Sequence, residues 1–173
     1  ATQGTDGSNI QGRPSLSQIT RERNTQEAKE KLIAQIVVRH GEELVCNLLN
    51  EKGEPHPTSV AEYVAIALQR DSIVLQNTLH QRILEEAAQQ ALQNGDFKAE
   101  KYFLNHPDQQ VSSFAFEMVS DKEELSKYFD QGKQSVPNEA NMRLDQVKHL
   151  IIDLKLCIVE KQKKQIMQQM RDP

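Results

Sequence analysis

Tryptophan is absent from this chain, aromatic residues reach only 5%, and cysteine occurs twice. Each scarcity excludes something. Cys46 and Cys157 lie far apart and form neither a disulfide framework nor a zinc-ligand pattern. A reducing cytoplasm is the expected compartment. No apolar run approaches the roughly 18–20 residues needed to cross a bilayer, and no signal-peptide pattern opens the chain. The glycines are scattered singly, which excludes a glycine-rich phosphate loop, and there is no Gly-x-Ser-x-Gly elbow. An excess of positive charge is missing too. The net charge is −4, so whole-chain electrostatics do not draw the protein to nucleic acid.

What remains is a helix-forming sequence of 173 residues, 37% hydrophobic and 27% charged. That length suits one domain, or a small domain with an appendage. Every aromatic falls between Tyr63 and Phe129, so the densest core is expected there. Residues 1–24 read as a flexible linker: Gly4, Gly7, Gly12, Pro14 and several Ser and Thr leave little apolar surface to offset ordering entropy.

Residues 25–135 read as a helical bundle. Asn24 with Glu27 resembles a capping box for a first helix carrying Ala28, Leu32, Ile33, Ile36 and Val37. His40 is expected to cap its end, with Gly41 following in a positive-φ conformation. The run Glu43 to Asn50 is read as extended, stopped by Gly53, Pro55 and Pro57. Ser59 with Glu62 forms a stronger capping box before Val60, Tyr63, Val64, Ala67 and Leu68. A helix follows from Thr78 to Asn94, ended by Gly95. Asp96 is expected to cap the next short helix, which Pro107 terminates. Asp108 caps another, and Ser120 with Glu123 a last one. Leu32, Ile36, Tyr63, Ile83, Phe103, Phe114, Phe129 and Leu144 are the expected core.

Gly132, Ser135 and Pro137 mark a break, and residues 136–173 read as one long helix. Leu144, Val147, Ile151, Leu154 and Ile158 step by three and four, a heptad-like seam. Ile166, Met167 and Met170 continue it beyond a polar run. The proximal half of the seam is expected to pack on its own domain. The distal half is expected to face a partner helix, for which Met is adaptable. Ile158, Ile166, Met167 and Met170 are therefore the candidate partner-binding residues.

Candidates for chemistry are weak. His40 with Cys46 would suit a nucleophile pair, but a small buried thiol beside a helix-capping histidine explains both residues. Glu85 and Glu86 point about 100° apart on a helix and read as a solvated face. Lys161, Lys163 and Lys164 are diluted by Glu160 and glutamines, and helix C-termini favour cations anyway. His40, His56, His80, His106 and His149 show no metal-ligand spacing. No nucleophile, base, metal or cofactor site emerges, so this chain is expected to be no enzyme by itself.

The order of three segments is more informative. Leu32 to Val45 (LIAQIVVRHGEELV), Ser59 to Leu68 (SVAEYVAIAL) and Phe97 to Phe129 (FKAEKYFLNHPDQQVSSFAFEMVSDKEELSKYF) resemble the C-terminal region of bacterial DNA primases of the DnaG type. Tyr102 to Val111, followed by Ser120, Asp121, Leu125, Ser126 and Lys127, carries the closest likeness. The resemblance spans roughly Ala28 to Met170. It implies an all-α fold: a helical bundle followed by a helical hairpin that binds the N-terminal domain of the replicative helicase. The parent protein would be a DNA-directed RNA polymerase making primers in the primosome. The chain stops at Pro173, where the family continues with a second hairpin helix. The terminal helix is therefore expected to be an incomplete hairpin that self-associates, swaps or frays. Direct nucleic-acid and membrane contact are not expected. The rival reading, a helical module binding single-stranded nucleic acid, needs exposed aromatics and a basic groove.

Overall fold

From Ile33 to Val38 every residue is buried. A stretch of helix buried on every face lies inside the molecule, and this one includes Gln35 as well as its apolar residues. A computed structural model describes residues 16–121, 123–130 and 139–171. In it α1 spans Leu16–His40 and touches every other helix: α2 (Val60–Arg70), α3 (Thr78–Gln93), α4 (Ala99–Leu104), α5 (Gln109–Ser120), α6 (Glu123–Asp130) and α7 (Glu139–Arg171). The architecture is all-α, with one antiparallel hairpin of β1 (Leu44–Leu49) and β2 (Pro55–Ser59) between α1 and α2.

The core is centred on α1, a helix without an aromatic residue, and not on the aromatic stretch that composition suggests. Ile36, Ile83 and Phe103 are buried as expected. Leu32, Tyr63, Phe114, Phe129 and Leu144 are half-buried around them. The first helix starts at Leu16, so the part of the expected linker from residue 16 to 24 is helical. Asn24 and Glu27 lie inside α1 and form no N-terminal cap. Residues 1–15 and the expected break at Gly132, Ser135 and Pro137 lie outside the described residues.

The extended reading of the run after α1 holds, but its prolines do not end the sheet. Pro55 and Pro57 belong to β2, opposite Leu49 and Asn47. Asn50 N donates to Glu54 O at 2.9 Å. That bond sets the hydrogen-bonded pairs at 54, 56 and 58, and the prolines fall between them, where no ladder donor is needed. Ser59 then caps α2 as its sequence signature predicts. Its hydroxyl accepts from Glu62 N at 3.3 Å, and Ser59 N donates to the Glu62 carboxylate at 2.8 Å. Asp108 caps α5 in the same way, accepting from Gln110 N.

Two other caps use residues other than the expected ones, one of them from elsewhere in the chain. Asp96 does not cap α4; instead Ala99 N donates to the Glu42 carboxylate, 57 positions away, at 3.3 Å. Asp121, not Ser120, caps α6, accepting from the N–H groups of Glu123 and Glu124. The same device recurs inside α1. Glu30 is fully buried and accepts from Gln76 N at 2.8 Å and Asn77 N at 3.3 Å, where the chain enters α3. Gln35, also fully buried, donates to Met118 O and Asp121 O at the end of α5. Helix ends leave unpaired N–H and C=O groups. Polar residues of α1 and the turn after it satisfy those of α3, α4 and α5, which explains how polar side chains are kept beside an apolar core.

Gly41 is needed for space and not for positive φ, which among the described glycines belongs to Gly53. A Cβ at Gly41 would lie 2.4 Å from Val37 O and 3.1 Å from Ala99 Cβ. Gly41→Ala is expected to lower unfolding free energy by about 2 kcal/mol through this crowding. An unchanged urea midpoint would mean the turn has more room than described.

His40 and His80 make stability depend on pH. Burial is the main force holding both imidazoles below their ordinary value of 6.5. Arg143 adds to it at His40, while Glu30 and Glu27 partly oppose it at His80. Just below pH 6.5 the unfolded chain therefore binds more protons than the folded one. The histidine contribution is complete above that pH and declines as pH falls toward the lowered values. Urea midpoints measured from about pH 8 to about pH 5 should be level, then decline. His80→Phe should flatten part of the decline, because His80 Nδ1 has no hydrogen-bond partner and the ring already packs 5.1 Å from Phe114. Level midpoints throughout would refute the assignment.

Candidate functional site

Helix α7 carries two apolar rows. Val147, Leu150, Ile151 and Leu154 form the inner one and are buried against the bundle. The proximal seam thus packs on its own domain, as its spacing predicts. Polar clasps hold it there. Arg143 Nε donates to Glu43 at 2.8 Å, tying the start of α7 to the end of α1. Farther along, Tyr128 donates to Asp153 and Lys155 pairs with Asp71. α7 runs antiparallel to α1: Arg143 lies near His40 and Glu43, whereas Gln26 shares a groove with Lys161 to Gln165.

The outer row is exposed. Ile152, Leu156, Val159, Ile166 and Met170 step by four, three, seven and four, with Lys163 filling the heptad position between Val159 and Ile166. At 3.6 residues per turn this row lies about 140° around the helix from the inner one. Ile166 and Met167 are about half exposed and Met170 is 80% exposed. These three sequence-predicted residues do face outward. Ile158 does not belong with them fully: it packs against the core and also forms a wall of the groove. Ile152, Leu156 and Val159 were missed. Their four-three spacing was readable, but a single seam absorbed the apolar residues of this helix.

The groove, about 490 Å³, lies between distal α7 and the α2–α3 connection. Ile73, Val74, Ile158 and Val159 give it apolar walls, and Gln26, Gln76, Gln162 and Gln165 a polar rim. Ser72 in this connection adopts φ of 53°. Asp71, Lys155 and Lys161 also line the groove, with Lys155 and Asp71 paired to each other.

The remaining candidates are structural. His40 Nδ1 lies 2.6 Å from Glu43 Oε1, within the clasp to Arg143. Burial pushes the Cys46 thiol up, opposite to what a nucleophile needs. Glu85 is exposed, but Glu86 is no solvated face: it accepts from Arg82, Tyr102 and His106. Asp108 N donates to His106 Nδ1, so Nε2 carries the proton given to Glu86. The Arg82 guanidinium also holds the Asp108 carboxyl below its usual range. This network fastens α3 to the α4–α5 turn. Among the described residues no three His, Cys, Asp or Glu side chains are placed to hold a metal ion. None of the described helices is long and apolar enough to cross a membrane.

Comparison with known proteins adds one relation. Residues 18–173 match the family described as a domain of unknown function, DUF8430. Neither a curated protein nor a solved structure matches the chain significantly. Since the match covers far more than half of its length, the chain belongs to the DUF8430 family.

Proposed function

We propose that this chain is a protein-docking domain of a bacterial replicative DNA primase. It binds the N-terminal domain of the replicative helicase and so couples primer synthesis to fork movement. One observation carries the docking part of the reading: distal α7 presents Ile166, Met167 and Met170 to solvent beside the groove formed with Ile73 and Val74. Apolar side chains at helical spacing are the anchors of helix-mediated recognition. The resemblance of Leu32 to Val45, Ser59 to Leu68 and Phe97 to Phe129 to the primase C-terminal region supports the choice of partner. Tethering would raise the local concentration of primase at the fork without any chemistry in this chain.

The test is a calorimetric titration against the helicase N-terminal domain. Binding with a dissociation constant on the order of 10 µM is expected, weakened about tenfold or more by Met167→Asp. Because Met167 is solvent-facing, the variant should keep its melting temperature. No heat at concentrations where a micromolar complex forms would overturn the proposal. The nucleic-acid reading has less support. The aromatic side chains of α4 are buried or half-buried, whereas exposed Phe116 lies on α5 with Glu117 beside it. A stacking platform requires several exposed rings over a basic groove.

A further inference from the structure

The outer row of α7 has the spacing of a coiled-coil seam, and its flanks specify what can cover it. With Ile152, Val159 and Ile166 as d positions, Leu156, Lys163 and Met170 are a positions. The flanking g positions are then Lys148 and Lys155, and the flanking e positions Asp153 and Glu160. One flank is basic and the other acidic. In a parallel pair of identical helices, each g residue meets the e residue five positions on in the other helix. Lys148 meets Asp153 and Lys155 meets Glu160, so both charged contacts on the flanks are attractive. In an antiparallel pair covering the same row, g faces g and e faces e: Lys155 meets Gln169, Asp153 meets Met167 and Glu160 meets its own copy, so no charged contact on the flanks is attractive.

We propose that α7 pairs in parallel with α7 of a second copy of this chain through the outer row. Lys163 is the lone charged residue at an a position, a substitution that sets register at a cost in stability. Leu at a with Ile at d otherwise favours more than two strands. The bundle limits the number here. Asp153 is bound to Tyr128 of α6 on one flank, and Lys155 to Asp71 beyond α2 on the other, so the domain crowds both sides and leaves room for one neighbour. Each flanking group keeps capacity for a second contact: Tyr128 occupies only Oδ2 of Asp153, and an ammonium has three donors. Ile166 and Met170 also belong to the docking surface proposed above, so the pair would cover that surface until a partner displaces it. The pairing itself does not rest on the helicase reading.

Sedimentation equilibrium on this chain alone tests it, with no helicase present. The mass should rise from one chain toward two between about 10 µM and about 1 mM. Ile166→Asp should remain a single chain with an unchanged melting temperature. Lys163→Ile should pair about tenfold more tightly, a gain that a misfolded variant cannot mimic. Orientation is read in a Cys46→Ala, Cys157→Ala background. Met170→Cys should form a disulfide with its own copy far more readily than Met170→Cys mixed with Ile152→Cys forms the unlike disulfide. A one-chain mass throughout, an assembly that skips the dimer, or preference for the unlike disulfide would overturn the proposal.

Discussion

Phe103→Ala is expected to destabilise the protein by about 4 kcal/mol. Phe103 is the largest of the fully buried side chains and lies in α4, a helix of 6 residues. Its ring packs edge-on to Tyr102 at 5.0 Å, and Tyr102 in turn reaches Phe97 and His106. Removing the ring loses its transfer free energy and leaves a cavity. So short a helix has little stability without its packing, and the loss should extend to the Glu86 network. Phe116→Ala is the control: Phe116 is 67% exposed, and its loss should change stability by less than about 0.5 kcal/mol. Urea unfolding of both variants gives the comparison. Equal effects would mean that α4 does not anchor the core.

Glu30→Ala should cost about 3 kcal/mol, with Glu30→Gln costing less. The carboxylate holds Gln76 N, Asn77 N and Gln26 Nε2, and none of these bonds survives truncation to alanine. Hydrogen bonds to a charged acceptor are worth more than neutral ones, and a buried site has no ready water to replace it. Gln keeps one acceptor oxygen but adds an amide that has to find partners of its own. The defect should also be local. Asn77 caps α3 by accepting from Leu79 N and His80 N, and its backbone is positioned by Glu30. Hydrogen exchange in Glu30→Ala should therefore speed up first at the start of α3. Faster exchange confined to α1 would show that Glu30 serves its own helix instead.

These two residues differ in how far the sequence exposes them. Phe103 stands at apolar spacing before a proline stop, so its place in the core follows from local pattern. Glu30 lies in a charged stretch with Lys29 and Lys31, where nothing local separates a buried capping carboxylate from a solvated one. The candidate site divides in the same way. The exposed Ile166, Met167 and Met170 were legible because they are apolar residues at helical spacing past the point where a small bundle ends, although Ile166 and Met170 lie on the outer row and not on the inner seam they were expected to continue. The outer row at Ile152, Leu156 and Val159 was not. An apolar residue at helical spacing declares that it can be buried, and only the neighbouring elements decide whether it is.

What the sequence determined by itself was local: the Ser59–Glu62 capping box, the Asp108 cap, the extended run after α1 and the long terminal helix. Each depends on contacts within a few residues, and those are encoded by neighbours in the chain. The tertiary structure alone decided that α1 is the hub, that Glu30, Gln35 and Glu42 satisfy the ends of other helices, and that α7 has one covered face and one open face. Those outcomes depend on groups tens of positions apart meeting in space. Burial and polar satisfaction are properties of the whole packing, and no local pattern contains them.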